Sequence, residues 1–547
     1  MSTRIDQTVP YAQQGYVPPY AYAAAAKPPR TPYAFGRGDA VFAVACLALG
    51  FLFWEWNTIA ASLSCFLFFL IAIACAFVYL HKKGIRQNAK SLAVLGVALL
   101  GDLPFLLYDR IEIHAALVLF EFAACLLWLA FSCRTTVSEK LSGFLASDLI
   151  NQGFAVSFGN FFGLFGSIRV GVRSAKGGGK VLAGIVGVIV AIPVIAIVIS
   201  LLVAADSGFE SFAEKILEAL QLERIGTYTL EFVVGLPVAC YLYGAVYGNT
   251  HGRNTSLVTK EKTSRSLQVM HVIPRAAVYV PVTVLCLLYV LFFAVMAPYL
   301  FSAFGGDLPA GYTYSEYARR GFFELCGVAA INLGVLIFTY LFARRAAGEY
   351  PKPLRILTGA LSVLTALLIV TAVSKMFLYI GAYGLSQLRL YTLWFMVLLL
   401  LVFVTLIVWH VRPFNAGRPI VLIAAACILV LFLTNTDGLI AKYNTENYLN
   451  GNLKTVDTEM MSQLSAASLP YLYELEADAP DAAVRAKATR AIRNHQLNYD
   501  LQSAIYLPQY AFHDWNIEAA EVVRAHPELQ DAAIKATKAG SALSVDQ

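Results

Sequence analysis

The sequence predicts an all-α fold: a polytopic transmembrane helix bundle of about 11 spans with a small helical extracytoplasmic C-terminal domain. Hydrophobic residues make up 58% of the 547 residues and charged residues only 14%, whereas soluble proteins contain about 25% charged residues. Uncharged apolar runs such as residues 181–203 are long enough to cross about 30 Å of hydrocarbon as one helix. The Lys and Arg residues concentrate in every second loop between such runs.

Apolar runs of this kind recur throughout the predicted bundle, which covers residues 39–435. Two of them are less regular, because Asp102 and Pro104 interrupt one and Glu121 interrupts the other. The predicted spans are 40–54, 59–80, 91–108, 113–133, 181–203, 226–248, 277–301, 321–343, 356–379, 390–410 and 419–434.

The distribution of positive charge predicts the orientation. One set of connections contains 25 Lys and Arg residues, and the opposite set contains 6 before the C-terminal region. Because cytoplasmic loops of membrane proteins are enriched in Lys and Arg, we expect a multi-pass protein of the cell membrane with a cytoplasmic N-terminus. An odd number of spans then places the C-terminus outside the cytoplasm. The positive set comprises the N-terminal tail and residues 81–90, 134–180, 249–276, 344–355 and 411–418.

The segments outside the spans differ in composition. Residues 1–38 are rich in Pro and Tyr and predict a disordered cytoplasmic tail. Residues 436–547 predict a helical extracytoplasmic domain, acidic overall, that could meet an envelope protein partner. Residues 141–168 are expected along the cytoplasmic interface, and residues 209–222 form an amphipathic piece on the outer side. The excess of Lys and Arg residues lies in loops beside the membrane. This position indicates contact with lipid headgroups and excludes a nucleic-acid-binding surface.

Signatures of catalysis and metal binding are missing from the sequence. There is no HExxH, no GxSxG and no pair of histidines at i,i+4. The nine cysteines lie within or at the ends of apolar segments, without the spacing of a zinc site or a disulfide framework. We therefore predict no catalytic residues, no metal and no cofactor. Ionisable residues inside spans are the default functional candidates, and these are Asp102, Glu121, Glu231, Glu324 and Lys375.

One set of polar residues from three distant segments is predicted to meet at the outer face. The segments read AADSGF, YTYSEYARRGFFEL and SKMFLYIGAYGLSQLRLY. Since arginine offers a planar fork for phosphate or carboxylate, the set predicts a vestibule that binds an anionic lipid or solute. The alternative is structural, with ion pairs and tyrosine hydrogen bonds that clamp helix ends and seat the C-terminal domain. The candidate ligand-binding residues are Asp206, Arg319, Arg320, Glu324, Lys375, Tyr383 and Arg389.

The same segments, together with IAKYNTENYLNG and VDTEMMSQLS, resemble a bacterial polytopic membrane family catalogued as domain of unknown function 4153/4173. The similarity runs over roughly residues 180–470 and leaves out the first four spans. The family pattern emphasises the positions of Arg319, Arg320, Tyr383 and Asn444. Lys375 departs from the arginine expected there, which keeps the charge but loses the fork. The resemblance implies no established activity.

Three functions remain open from the sequence. The first is a non-catalytic cell-envelope scaffold or sensor, favoured by the acidic outer domain and the missing catalytic motifs. The second is a transporter or lipid-handling protein that uses the charged outer vestibule, with membrane lipids, anionic ones included, as partners. The third is an intramembrane enzyme, because 11 spans exceed what an anchor needs.

Overall fold

A computed structural model describes residues 33–56, 62–108, 110–137, 144–174, 225–255, 269–305, 314–344, 350–497 and 515–526, with a few isolated positions between them. This part of the chain is helical, apart from an isolated parallel bridge between Ile273 and Ala343. The helices are α1 (Arg37–Glu55), α2 (Ser62–Lys82), α3 (Ala89–Leu107), α4 (Ile111–Cys133), α5 (Leu145–Gly159), α6 (Gly163–Ser174), α7 (Ile225–Thr250), α8 (Arg275–Gly305), α9 (Tyr314–Phe342), α10 (Lys352–Tyr383), α11 (Gln387–Val411), α12 (Gly417–Leu433), α13 (Thr436–Leu449), α14 (Thr458–Met461), α15 (Leu469–Asp478), α16 (Ala482–Leu497) and α17 (Ile517–Ala525).

The helices confirm the predicted all-α, multi-pass class. Among the described residues, nine helices are long and apolar enough to cross a membrane, or up to eleven if each of two bent pairs forms one span. The chain is therefore a multi-pass membrane protein. Most of the predicted span 181–203 and of the tail 1–38, and all of residues 209–222, lie outside the described residues.

The two bent pairs differ from the simple elements expected from sequence. The segment expected along the interface forms α5 and α6, which bend by 45° and together are long and apolar enough for a broken span or re-entrant loop. Within α5, residues Asn151–Val156 form a π-helical turn. The second pair is α12 and α13, which bend by 64°. Asn435 accepts a hydrogen bond from the Gly438 amide at 2.8 Å and so caps α13.

The first half of the bundle depends on a close crossing between α1 and α7. A Cβ atom added to Gly235 would lie 2.3 Å from the Gly50 carbonyl oxygen, and one added to Gly50 would lie equally close to the Gly235 oxygen. Small residues let helix backbones approach in this way inside membranes. Around this crossing, α1, α2, α4 and α7 share a core that contains Trp128 and Tyr243.

The second half is built from α8 to α11 and is tied together by buried polar side chains. The Tyr289 hydroxyl on α8 donates to Asn332 Oδ1 on α9 at 2.9 Å. The Asn332 amide in turn donates to the Thr365 hydroxyl on α10 at 2.9 Å. Because water is absent from the bilayer core, such groups need partners within the protein. The chain of bonds therefore fixes the register of three neighbouring helices.

Contacts at the helix ends define two opposite faces of the bundle. At the first, which we call the Asp39 face, the start of α1 meets the ends of α2 and α7 through Asp39, Lys83 and His251. At the second, which we call the Arg110 face, the connection between α3 and α4 meets the end of α12 through Arg110. Since α1 starts at the Asp39 face and α2 and α7 end there, α1 runs antiparallel to both of them.

Arg110 fastens the end of α12 to the connection between α3 and α4. The residue is 5% exposed, and its guanidinium donates to the carbonyl oxygens of Leu431 at 3.3 Å and Thr434 at 2.9 Å. It also donates to the Phe432 carbonyl and, at 3.1 Å, to the Thr436 hydroxyl. The last carbonyl groups of a helix lack intrahelical partners, so Arg110 satisfies the end of α12. The helix is thereby held against α3 and α4.

The C-terminal helices dock on the Arg110 face. Asp437 accepts from the Gln387 side chain at 3.1 Å and from the Ser465 amide at 2.9 Å. The Asn435 side chain donates to Glu518 on α17 at 2.8 Å. Burial raises the pKa of Glu518 to about 7, and the neighbouring Asp437 carboxylate acts in the same direction. The docked position of α17 therefore favours the protonated form of Glu518.

We expect Gly235→Ala to destabilise the protein, because the new methyl group would collide with the Gly50 carbonyl of α1. Overpacking of this kind costs about 1–3 kcal/mol. The midpoint of thermal unfolding in detergent should fall. Gly96→Ala on α3 is the matched control, since a Cβ atom there meets nothing within 4 Å. Equal unfolding midpoints for both variants would show that α1 and α7 do not cross at these glycines.

The docking of α17 should weaken as the pH rises. The pKa of Glu518 is raised from 4.5 to about 7, so its contribution is complete below pH 4.5 and is lost as the pH passes through about 7. Hydrogen exchange of the 517–525 amides, corrected for intrinsic rates, should accelerate above pH 7 more than the correction predicts. Glu518→Gln should remove this dependence. Glu521→Gln, on the exposed side of the same helix, should preserve it, and equal behaviour of the two variants would contradict the assignment.

Candidate functional site

The predicted outer vestibule is described only in part. Asp206 lies outside the described residues, and Arg319 and Arg320 lie in the first turns of α9, where the structure describes the helix but not these side chains. Lys375 on α10 is half-buried and attracts the carboxylate of Glu324, which is exposed on α9. The ligand-binding role of this set stays a prediction.

The remaining vestibule residues form a backbone clamp at the turn between α10 and α11. Arg389 donates to the carbonyl oxygens of Tyr383 at 3.0 Å and Gly384 at 2.5 Å. Its guanidinium lies 4.2 Å from the centre of the Tyr379 ring. The Tyr383 side chain is 43% exposed. These contacts of Arg389 are the helix-clamping contacts expected if the predicted vestibule has a structural role. The Tyr383 ring is accessible on the Arg110 face.

Asn444 completes the clamp from α13. Its side chain accepts from the Leu385 amide at 2.7 Å and donates to the Leu385 carbonyl at 2.8 Å. It thus pairs with the backbone of Leu385 as the backbone of a neighbouring β-strand would. Gly384 has φ +75°, and a Cβ atom there would lie 2.3 Å from Asn444 Oδ1. Glycine is therefore required at this turn. This geometry gives a structural reason for the Tyr-Gly-Leu and Asn blocks that carry the family resemblance.

A buried acid on the Asp39 face was missed by sequence reasoning. Asp39 is 1% exposed, and its Oδ1 lies 2.5 Å from Lys83 Nζ and accepts from the Tyr79 hydroxyl at 2.6 Å. Its Oδ2 accepts from the Gly36 amide at 2.7 Å, and the His251 ring lies 3.7 Å from Oδ1. These contacts tie α1 to α2 and α7. The sequence signal was an acid at the start of an apolar run, on the side of the bundle where the loops are rich in positive charge.

The second feature that sequence reasoning missed is an apolar groove between α3, α4, α5 and α12, with a volume of about 540 Å³. Its wall is formed by Ala, Val, Leu, Ile and Phe side chains, among them Val97, Phe120 and Ala424. The groove is partly open. Its two charged residues, Lys90 and Arg418, stand at the starts of α3 and α12.

Both cations lie at the same end of the groove. The ends of α3 and α12 meet at Arg110, so these two helices run parallel and their starts share the Asp39 face. From Arg418 to Ile428 the groove follows α12 for about 15 Å at 1.5 Å per residue. The arrangement combines an apolar slot with a positive end. It matches the chemistry of an amphipathic anion whose headgroup lies near the membrane surface.

Among the intramembrane candidates, the structure brings together Asp102 on α3 and Glu121 on α4. Both are buried inside the apolar cluster that contains Phe105 and Leu117. Sequence alone named both residues but could not pair them, because it does not show which faces of α3 and α4 meet.

Comparison with known proteins yields one informative match. No curated protein and no solved structure matches the chain. A family model described as a domain of unknown function, DUF4153, matches residues 89–475. The match begins at the start of α3, so it reaches further toward the N-terminus than the resemblance from about residue 180, and it includes the groove and the clamp. The blocks that carried the resemblance contain distinctive polar and aromatic residues, whereas α3 and α4 are mostly uniform apolar sequence. The chain therefore belongs to the DUF4153 family.

Proposed function

We propose that this protein is a multi-pass protein of the cell membrane that binds and handles an anionic lipid. The observation that carries the proposal is the groove with Lys90 and Arg418 at one end and an apolar wall along the rest. An acyl chain fits the apolar slot, and a phosphate-bearing headgroup fits the paired cations.

The proposed orientation places the Asp39 face in the cytoplasm. The loops that adjoin this face belong to the set with 25 Lys and Arg residues, against 6 in the opposite set. The cytoplasmic leaflet carries anionic lipids that attract such residues. The positive end of the groove would then open to the leaflet in which its ligand is most abundant. The C-terminal helices would lie on the outer side.

A scaffold or sensor role is the second candidate, and one observation favours it. Between α14 and α16 the C-terminal region contains a polar cleft of about 370 Å³. Asp457, Glu459, Lys487, Arg490 and Asn494 line it, so both signs of charge face the same space. A polar segment of an envelope partner would suit such a cleft better than a lipid chain would.

Removing the two groove cations should weaken lipid binding selectively. Each Lys or Arg near an anionic membrane surface contributes about 1 kcal/mol, so Lys90→Ala/Arg418→Ala should lower the affinity for phosphatidylglycerol roughly 30-fold. Phosphatidylcholine binding should change little. Native mass spectrometry of purified protein with equal amounts of both lipids measures the two occupancies.

Lys352→Ala/Arg412→Ala is the control, because it removes the same charge from exposed positions at the ends of α10 and α11 that do not line the groove. Ala424→Phe should block the slot and lower the occupancy of both lipids. If the groove variants bind phosphatidylglycerol as the control does, the lipid proposal is wrong. Loss of cellular function only on Lys487→Ala/Arg490→Ala would then support the scaffold or sensor role.

A further inference from the structure

The buried carboxyl groups of Asp102 and Glu121 differ from Asp39, another fully buried acid of the membrane bundle. Asp102 is 1% exposed and Glu121 is fully buried. Asp39 is equally buried, but it is held by Lys83, Tyr79 and Gly36. Neither Asp102 nor Glu121 takes part in an ion pair within the described residues. The same chain therefore compensates one buried acid in full and leaves two adjacent ones without a cation.

The hydrogen bonds of the pair are incomplete. Both carboxyl oxygens of Asp102 and Oε2 of Glu121 are buried without a hydrogen-bond partner. Glu121 Oε1 receives a weak bond from the Cys125 thiol at 3.4 Å. Buried polar atoms are nearly always paired, so unpaired ones call for a functional explanation.

Gly101 explains how the two acids come to be neighbours. A Cβ atom at Gly101 would lie 2.8 Å from Glu121 Oε2, so the Glu121 carboxyl rests against the α3 backbone beside Asp102. Any side chain at position 101 would displace it. Negative charges on both of these neighbouring carboxyl groups would repel each other in an apolar interior.

The surroundings favour a proton over a metal ion. Hard cations such as Ca²⁺ and Mg²⁺ need about six oxygen ligands, whereas the pair is surrounded by the thiols of Cys65 and Cys125 and by apolar side chains of the Phe105 cluster. Nor do the described residues contain any group of three or more His, Cys, Asp or Glu side chains suited to a metal ion. A proton neutralises a buried carboxylate without further ligands, and charge in this setting costs several kcal/mol.

The other ionisable groups on the surrounding helices give the pair little compensation. Elements packed against α3 and α4 carry few of them, and most lie toward helix ends. They are His81 and Lys82 on α2, Lys90 on α3, Glu112 and His114 on α4, Asp148 on α5, Glu231 on α7, Arg418 on α12, and Glu518, Glu521 and Arg524 on α17.

We infer that Asp102 and Glu121 form an intramembrane proton-binding site, with protons held on the facing carboxyl oxygens of α3 and α4. Paired intramembrane carboxyl groups of this kind serve as proton relays. The inference does not rest on the proposed lipid function, because the pair is buried among the helices and does not line the groove.

Chemical labelling with dicyclohexylcarbodiimide, an apolar reagent that modifies protonated carboxyl groups, tests the inference on the purified full-length protein. Peptide mass spectrometry should locate the label on Asp102 or Glu121, and labelling should decline as the pH rises. Asp39, which is equally buried but ion-paired, should stay unlabelled and serves as an internal control. Added sodium should leave the label unchanged, and protection by sodium would overturn the proton assignment.

Infrared spectroscopy provides a second measurement that does not depend on reagent access. The carbonyl stretch of protonated carboxylic acids should be present in the wild type and reduced in Asp102→Asn/Glu121→Gln, where protonated Glu518 still contributes to it. The amides mimic neutral acids, so this variant should keep the thermal midpoint of the wild type. Glu231→Gln, on α7, should keep the band. A wild-type spectrum without a protonated-acid band, or a band unchanged in the double variant, would refute the inference.

Discussion

The buried guanidinium of Arg110 satisfies the carbonyl oxygens with which α12 ends, and much of the architecture follows from this contact. It holds the last span against the α3–α4 hairpin and places the bend into α13 beside it. Phe120 and Phe432 pack edge to face at 5.7 Å on the inner side of the same joint. Without the joint, α12 would not form a wall of the groove, and the C-terminal helices would lose the surface on which they dock.

The α3–α4 hairpin carries both features that we connect with function. Lys90, Val94 and Val97 line the groove on one stripe of α3, and Gly101 continues this stripe by one turn. On α4, Phe120 lines the groove, while the carboxyl group of its neighbour Glu121 rests against the α3 backbone at Gly101. A Cβ atom at Gly101 would touch both the Phe120 ring and Glu121 Oε2. A shift of α3 against α4 would therefore act on the lipid groove and the proton site together.

Sequence reasoning predicted the fold class well because hydrocarbon imposes simple rules. Uncharged runs of the required length, and the alternation of Lys and Arg between loops, do not depend on tertiary contacts. The bend between α12 and α13 could not be read in this way, because it depends on Asn435 as a cap and on Arg110 from a distant loop. The bent α5–α6 pair was expected at the interface because its many Gly and Phe residues resemble an amphipathic surface segment.

The candidate site was harder to predict, since it depends on which faces of the helices meet. Asp102 and Glu121 are recognisable from sequence as ionisable residues within spans, but their pairing requires the close approach at Gly101. Lys90 and Arg418 were counted only as loop charge, although they stand at the mouth of one groove. Arg389 was predicted to bind a ligand, and in the structure it contacts the backbone of its own turn and the Tyr379 ring. Contacts with backbone carbonyl groups cannot be recognised from a sequence motif, because every residue carries such a group.

In this structure α12 closes against the α3–α4 hairpin and leaves a lipid-sized slot beside a buried acid pair. A cryo-electron microscopy map of the protein in nanodiscs containing phosphatidylglycerol would test this arrangement. We predict elongated density between α3, α4, α5 and α12, with the headgroup beside Lys90 and Arg418. A map in which α12 stands apart from the hairpin, or in which side chains fill the slot, would contradict the account.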